Sequence, residues 1–297
     1  PIRMAVGVAM LVVVLITAGG ALLRAKTGPR KQAEDSSERF LEHLEEQEDT
    51  IRDLAEEQRE QSALRNPAPG ALSDVIRQPH RLWERRPSDE DFLVVRLGVG
   101  TGDLACGVTV RPAGDPMLVP EPISQAHLDR MLKRCSTIDD LPIAVPLHGT
   151  VSLIGPHDVT ANAIRALLLQ VAVLHAPDDL RLHLALPLSG GEDTGRWALW
   201  LPHILDDHRF DGPIGLRGAS TDEDSAEALI SELDERREEM TAKGKTRMIQ
   251  VERPHLIVVV DMESDHGRFV MSKLAEVEDL EKARITIIST ATMQRME

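Results

Sequence analysis

A short aliphatic run followed by a glycine is the first place where this sequence suggests phosphate binding. Val151–Ile154 precede Gly155 and a helical pattern, the strand, loop and helix order that a phosphate-binding loop needs. In a motif GxxxxGK[ST] starting at Gly155, positions 160 to 162 would be glycine, lysine and a hydroxyl residue. This chain has Thr160, Ala161 and Asn162 there. The order of elements suits a nucleotide site, but the residues do not.

The balance of charges in this loop weighs against a nucleotide. The missing lysine removes a charge-assisted hydrogen bond of about 1.5 to 3 kcal/mol. Asp158 adds a negative charge where the phosphates would lie. The amides at the helix amino terminus still favour an anion. We therefore interpret residues 155–162 as a degenerate nucleotide site, with residual ATP binding as the alternative.

The second candidate is the acid that ends the aliphatic run Leu256–Asp261. An aspartate at the carboxyl end of a strand can orient a magnesium-bound water, or it can simply cap the following turn. In active relatives of this class a glutamate directly follows the aspartate. Here Met262 follows, and Glu263 comes one residue later, where strand alternation turns its side chain away from a nucleotide. We predict no hydrolysis, no catalytic residue and no cofactor in this segment.

Other chemistry is not indicated. The eleven histidines, His157 and His203 among them, form no metal pair at helical spacing, and Cys106 and Cys135 have no metal-ligand spacing. We interpret both cysteines as reduced thiols. The formal net charge of -15 disfavours a protein that grips nucleic acid, because phosphate contacts are made by lysine and arginine.

The elements that must position these residues alternate between strands and helices from Gly149 onward. This alternation predicts a parallel α/β sheet covered on both faces, and the scarcity of aromatic residues fits aliphatic strands buried on both sides. The predicted strands are 151–154, 180–186, 256–261 and 285–289, and the predicted helices are 161–174, 226–240 and 270–274.

The amino-terminal region predicts a membrane anchor. Met4–Leu23 contain no charged residue and are long enough to cross a bilayer as a helix; a signal peptide is the alternative. Basic residues follow at Arg24, Lys26, Arg30 and Lys31. By the positive-inside bias, the body after residue 31 is predicted to be cytoplasmic, with the anchor in the inner membrane.

An acidic helix is predicted between Glu34 and Glu60. Its apolar residues Phe40, Leu44, Ile51 and Leu54 recur at helical spacing and form one narrow stripe. Such a stripe needs cover, either from residues 72–83 folding back or from a neighbouring protein. We interpret these four residues as candidates for docking a partner. The alternative is a solvated helix that only spaces the body from the membrane.

Together these patterns predict four regions. Residues 1–24 form a transmembrane helix and 25–86 a cytoplasmic helical stalk. Residues 87–148 form a small β-rich subdomain, and 149–297 a degenerate P-loop NTPase-like domain with a parallel sheet.

Three stretches of the sequence carry a resemblance to a known family. The first is Asn66–Leu72 followed by Leu82–Thr101 with its WERRPSDEDF segment, the second is Arg165–Leu180, and the third is Trp200–His203. They resemble the EccC proteins, the membrane-bound FtsK/SpoIIIE-type ATPases of actinobacterial type VII (ESX) secretion. The resemblance implies that the uncharged span is the family's second transmembrane helix. It also implies that the α/β domain is the degenerate ATPase preceding the family's true ATPase modules.

The resemblance further implies the partners. Exported proteins, ATP and magnesium would bind in the later modules. The resemblance implies that the membrane subunits EccB, EccD and EccE are neighbours in the membrane complex, and that the chain is homo-oligomeric there, as a hexamer. The departures from an active ATPase at Thr160, Ala161, Asn162 and Met262 are what the family's first module leads us to expect.

Three functions remain open from the sequence. The first is a coupling segment that transmits the action of a distal ATPase to a secretion pore. The second is an FtsK-like DNA translocase or a conjugative coupling protein, which the acidic helix disfavours. The third is a membrane-anchored scaffold without a motor.

Overall fold

The computed structural model describes residues 14–17, 30–106, 108–111, 122–186, 195–211, 214–242 and 253–291. The helices of these residues are α1 (Arg30–Arg65), α2 (Leu72–Ile76), α3 (Pro122–Cys135), α4 (His157–Leu174), α5 (Glu227–Ala242) and α6 (Asp265–Leu274). The strands are β1 (Val14–Thr17), β2 (Val94–Asp103), β3 (Val108–Arg111), β4 (Thr137–Pro146), β5 (Thr150–Ile154), β6 (Leu180–Ala185), β7 (Leu205–Asp211), β8 (Ile214–Arg217), β9 (His255–Asp261) and β10 (Ile285–Ala291).

The chain divides into two compact units. One comprises residues 1–66 and 98–143, and the other comprises residues 67–97 and 144–297. This grouping differs from the four predicted regions. The acidic helix shares a unit with most of the predicted β-rich subdomain, and the residues from 67 to 97 fold with the α/β domain.

In the first unit, α1 packs against α3. Phe40, Leu44 and Ile51 are buried together with Leu128 and Met131 of α3, and Leu54 packs against the same cluster. The physical reason for this packing is that burying an apolar stripe removes it from water. Within the described residues the cover comes from α3 and not from residues 72–83, and docking of another protein on this helix stays a prediction. Three of the four docking candidates, Phe40, Leu44 and Ile51, are buried in the core of their own unit, and Leu54 packs against them.

The predicted transmembrane span Met4–Leu23 lies mostly outside the described residues. The part that the structure describes, Val14–Thr17, is a strand paired in parallel with β3, so the helical prediction is not confirmed there. These four residues are three β-branched residues and a leucine, a composition that fits a strand. None of the helices in the described part of the chain combines the length and apolar character needed to cross a bilayer.

The second unit contains a four-stranded sheet in the order β5-β10-β9-β6. All three pairings are parallel. One face packs against α4 through Leu167, Leu168 and Val171, and the other packs against α5 and α6 through Leu233 and Leu274. Alternate residues of β9 belong to the two clusters, as expected for a strand buried on both faces. The predicted parallel α/β class is confirmed, and β7 and β8 add a small antiparallel pair.

The segment at residues 82–94, which carries the longest part of the resemblance, folds back on α4. The Arg85 N–H donates to the Leu174 carbonyl at 2.9 Å. The Arg85 side chain is 2% exposed; it donates to the Val94 carbonyl and lies 3.5 Å from Asp91. In this unit the motif therefore has a structural role, fixing the chain ahead of β2.

Candidate nucleotide site

The connection between β5 and α4 is only two residues long. β5 ends at Ile154 and α4 begins at His157, whereas the sequence predicted the helix from residue 161. The Thr160 N–H donates to the Pro156 carbonyl at 3.0 Å, so it already belongs to the first helical turn. A phosphate loop needs several amides free to point at an anion. Here the residues of such a loop are helical.

Gly155 is not held in a conformation that requires glycine. Its φ lies outside the left-handed region, and a Cβ there would make only an ordinary contact with Thr160 at 3.7 Å. The Thr160 side chain is buried, and its hydroxyl lies 3.0 Å from the His157 carbonyl and 3.3 Å from the Pro156 carbonyl. The one glycine that matches the motif therefore does not make the tight turn of a phosphate loop.

The other two motif positions lie on the surface of α4. Ala161 is half-buried and Asn162 is exposed. The side-chain amide oxygen of Asn162 accepts a hydrogen bond of 3.3 Å from the Arg165 guanidinium. Asp158 is exposed in the first turn, where a negative charge favours the helix dipole. Each of these side chains thus has a role within the helix.

Asp261 ends β9 and organises the turn that follows. Its carboxylate accepts a hydrogen bond from the Glu263 N–H at 3.1 Å, which is an Asx turn. The Ser264 hydroxyl donates to the Asp261 carbonyl at 2.9 Å and accepts from the Gly267 N–H at 2.9 Å. Ser264 is thereby the amino-terminal cap of α6. The structure therefore contains the turn-capping hydrogen bond of Asp261 that the sequence offered as the alternative to magnesium binding.

Gly267 is required by the close approach of α6 to Asp261. A Cβ on Gly267 would lie 1.8 Å from the Asp261 carbonyl oxygen. The first turn of α6 therefore packs directly on the end of β9. Glu263 is exposed on this turn, and its carbonyl accepts a hydrogen bond from Arg268 at 2.9 Å.

The structure places Gly155 and Asp261 at the same end of the sheet, where the parallel strands have their carboxyl ends, but not in contact. β10 lies between β5 and β9, with Ala291 beside Ile154 and Thr290 beside Asp261. Two strand spacings correspond to about 10 Å. The carboxyl edge of a parallel sheet is where such folds bind ligands. The site has the right location, but a helix stands where most of the loop that wraps the phosphates would be.

The stripe residues belong elsewhere. Phe40, Leu44, Ile51 and Leu54 lie in the first unit, whereas every residue of the nucleotide-site prediction lies in the second.

A cleft of about 420 Å³ lies beside β6, at the opposite edge of the sheet from β5. Its floor includes Leu182, His203 and Gly218, and its α5 side carries Glu227 and Glu232. Nothing in the sequence pointed to it, because its walls come from five separated segments.

A histidine pair lies next to this cleft. The Ser220 hydroxyl is 3.0 Å from His183 Nε2 and 2.8 Å from His266 Nε2. Burial, with a smaller effect of His266, lowers the pKa of His183 to about 3. Ser220 and His183 are buried and His266 is half-buried, so the network joins the core of the unit to α6.

Fold and site together define a parallel α/β domain with the element order of a P-loop nucleotide site and without its loop. None of the protein-family models compared with the sequence matches it. The chain is 36% identical over 192 residues to the ESX secretion system protein EccC of Thermomonospora curvata, covering 64% of this chain and 14% of the relative. It is 32% identical over 252 residues to EccC3 of the Mycobacterium tuberculosis ESX-3 system, covering 84% of this chain and 18% of the relative.

A more distant relative is the ESX secretion system protein YukB of Bacillus subtilis, 24% identical over 304 aligned residues, which covers 98% of this chain and 19% of the relative. These matches identify the chain as a homologue of the EccC proteins of type VII secretion over most of its length. The chain spans less than a fifth of the length of these three relatives.

Solved structures show weaker similarity. The cytoplasmic domain of the Thermomonospora curvata type VII secretion ATPase EccC matches with a TM-score of 0.40 and 16% identity, covering 78% of this chain and 25% of that one. EssC ATPases 2 and 3 from Geobacillus thermodenitrificans match with a TM-score of 0.42 and 18% identity, covering 72% of this chain and 36% of that one.

Proposed function

We propose that this chain is the membrane-anchoring and coupling part of a type VII secretion motor, and that its α/β domain neither binds nor hydrolyses ATP. The observation that carries the second part is the two-residue connection between β5 and α4. With residues 157–162 already helical, the domain lacks the extended loop that wraps a triphosphate, and at Ala161 it lacks the lysine; only the first amides of α4 remain to face an anion. Homology to EccC proteins supports secretion over the alternatives of a DNA translocase or a motorless scaffold.

In this proposal the domain supports the assembly mechanically. The Asx turn of Asp261 and the cap of Ser264 join the carboxyl end of β9 to the first turn of α6. ATP and magnesium act in other modules of the full-length protein, where exported proteins are also recognised. Thermomonospora curvata EccC ATPases 2 and 3 have been solved with a signal-sequence peptide.

Anchorage in the plasma membrane, with the body after residue 31 in the cytoplasm, is part of the proposal. It rests on the uncharged residues 4–23 and on the basic residues that follow them. Association with other membrane subunits (EccB, EccD and EccE) and with further copies of the same protein, in a hexameric complex, is proposed from the same family membership. A cytoplasm-selective reporter fused to the carboxyl terminus is expected to be active, and an active periplasmic reporter would contradict this topology.

The catalytic part is tested with two variants of Asp261 in the full-length protein. If Asp261 only caps the turn, Asp261→Asn keeps the acceptor oxygen, so ATPase activity and secretion stay near wild type. Asp261→Ala removes the acceptor and costs about 0.5 to 2 kcal/mol of stability. If Asp261 instead orients a magnesium ion, Asn and Ala both abolish a hydrolysis step. Equal loss of activity in the two stable variants would contradict the proposal.

A further inference from the structure

The cleft beside β6 has the size and the mixed lining of a small-molecule site. Its volume of about 420 Å³ lies within the range of about 300 to 1,000 Å³ that is typical of ligand pockets. Leucine and isoleucine side chains form its apolar part: Leu182, Ile204, Leu229 and Leu256. Each of these four residues is at most 2% exposed, so the cleft reaches down to the core of the unit.

The charged side chains of the cleft balance one another. The lining carries two arginines and three carboxylates: Arg181, Arg217, Asp224, Glu227 and Glu232. Glu232 forms a 2.7 Å ion pair with Arg236, so its charge is already compensated. Two positive and two negative charges remain, and a balanced lining of this kind gives no field that attracts a strongly charged molecule. The cleft therefore suits an uncharged ligand better than a nucleotide.

His203 brings a hydrogen-bond acceptor to this cleft. Its Nε2 lies 2.8 Å from the His175 carbonyl oxygen. A carbonyl can only accept, so Nε2 carries the proton. Burial lowers the pKa of His203, against the opposing effect of this hydrogen bond, so the ring is neutral at pH 7 and Nδ1 holds a lone pair. Nδ1 is buried and has no hydrogen-bond partner in the described part of the chain.

The unpartnered nitrogen needs a donor from an occupant of the cleft. His203 is 1% exposed and lines the cleft. Its Nε2 is turned to the residue that follows α4, so Nδ1 is the nitrogen left for an occupant. A buried acceptor without a donor is costly. Water is the simplest donor, but one water occupies only about 30 Å³ and gives the apolar lining no partner.

We propose that this cleft binds a small uncharged molecule with an apolar body and one O–H or N–H group, and that this group donates a hydrogen bond to His203 Nδ1. The apolar body lies against Leu182, Ile204 and Leu229, which removes it from water. The hydrogen bond fixes the orientation of the molecule and makes the site selective for compounds that carry a donor.

The site is joined to the segment at residues 82–94 through a second histidine. His175 Nε2 accepts a hydrogen bond of 2.9 Å from the Leu93 N–H, and its Nδ1 lies 3.0 Å from the Val171 carbonyl oxygen. His203, His175 and Leu93 thus form one hydrogen-bonded chain from the cleft to the residue before β2. Binding is therefore expected to slow hydrogen exchange of the Leu93 amide as well.

Nitrogen-15 NMR of the 297-residue chain, labelled at histidine, tests the proposal with indole and phenol as probes. Each probe has an apolar ring and one donor, and the controls N-methylindole and anisole have the ring without the donor. At millimolar concentration, at least one probe is expected to shift the His203 Nδ1 resonance and to bind roughly tenfold more tightly than its control. No shift with either probe would overturn the proposal. Equal affinity of probe and control would overturn it too, because water alone would then satisfy Nδ1.

Two variants check the location of the probe. His203→Gln keeps a side-chain N–H for the His175 carbonyl and removes the ring acceptor, so it is expected to fold and to lose the preference for the donor probe. Ala228→Leu narrows the cleft from α5 and is expected to weaken probe binding at least about tenfold. Ala163→Leu is its control, because Ala163 is also half-buried on a helix but lies outside the lining. Wild-type affinity in Ala228→Leu would place the probe elsewhere and overturn the proposal, whether or not His203→Gln folds.

Discussion

Replacement of Arg236 is expected to produce the largest loss of stability among single changes at polar residues of the α/β unit. Arg236 lies on α5 and is 3% exposed. Its guanidinium donates to the carbonyls of Ala283 at 2.7 Å and Pro254 at 2.9 Å, and it forms a 2.7 Å ion pair with Glu232. It thereby joins α5 to the residues that lead into β9 and β10. Burial lowers the pKa of Arg236, and Glu232 acts in the opposite direction.

The magnitude follows from what Arg236→Leu leaves behind. The Glu232 carboxylate, 13% exposed, loses its partner, and the carbonyls of Ala283 and Pro254 lose this donor. Breaking a buried pair in this way costs about 3 to 5 kcal/mol, which for a unit of this size lowers Tm by roughly 6 to 20 °C. The double variant Arg236→Leu/Glu232→Leu removes the orphaned charge, so its loss is expected to be smaller than the sum of the two single losses.

Thermal and urea unfolding followed by circular dichroism measure these differences. Arg237→Leu is the matched control, because Arg237 is adjacent but exposed, and its ion pairs with Asp234 and Glu276 are at the surface. We expect it to change stability by less than about 1 kcal/mol. If Arg236→Leu were no worse than Arg237→Leu, the reasoning about the buried guanidinium would be refuted.

Three further predictions concern packing and pH. Gly267→Ala is expected to destabilise the chain strongly because of the 1.8 Å approach to the Asp261 carbonyl, whereas Gly70→Ala, with nothing within 4 Å, is not; equal unfolding midpoints would contradict the geometry of this turn. Ile51→Ala is expected to lower the free energy of unfolding by about 2 to 5 kcal/mol, because Ile51 is buried in the core of its unit. A negligible change in urea unfolding would contradict the burial of the stripe. Burial lowers the pKa of His175 from 6.5 to about 4, so the folded state holds it neutral while the unfolded chain binds a proton. The contribution of neutral His175 to the free energy of unfolding is present above pH 6.5, and about 3 kcal/mol of it is lost as pH falls toward 4. The His175→Gln variant is expected to show a weaker pH dependence of unfolding, and an unchanged dependence would contradict this account.

Most of the α/β unit could be predicted from the sequence because its strands are uniform aliphatic runs. The predicted strand 256–261 and the observed His255–Asp261 differ by one residue. The helix after Gly155 was placed four residues late, because a motif template assigned a loop to residues whose helical pattern starts at His157. Aligning the sequence with the phosphate-loop motif thus hid the helical pattern of residues 157–160.

The first unit was harder to predict because its contacts are distant in sequence. The stripe of α1 was recognised, but its cover, α3, begins more than fifty residues after α1 ends. Periodicity shows that a face is buried and does not show what buries it. The cleft beside β6 has the same property: its separated walls come together only in the folded chain.

Calorimetric titration of the 297-residue chain with millimolar Mg-ATP tests the central claim most directly. We expect no heat of binding from the wild-type chain. We also expect none from the variant Thr160→Gly/Ala161→Lys/Asn162→Thr, because these changes restore the residues of the motif while α4 still begins at His157. Saturable micromolar binding by the wild-type chain, abolished by Asp261→Ala in a folded variant, would contradict the claim that this domain is nucleotide-free.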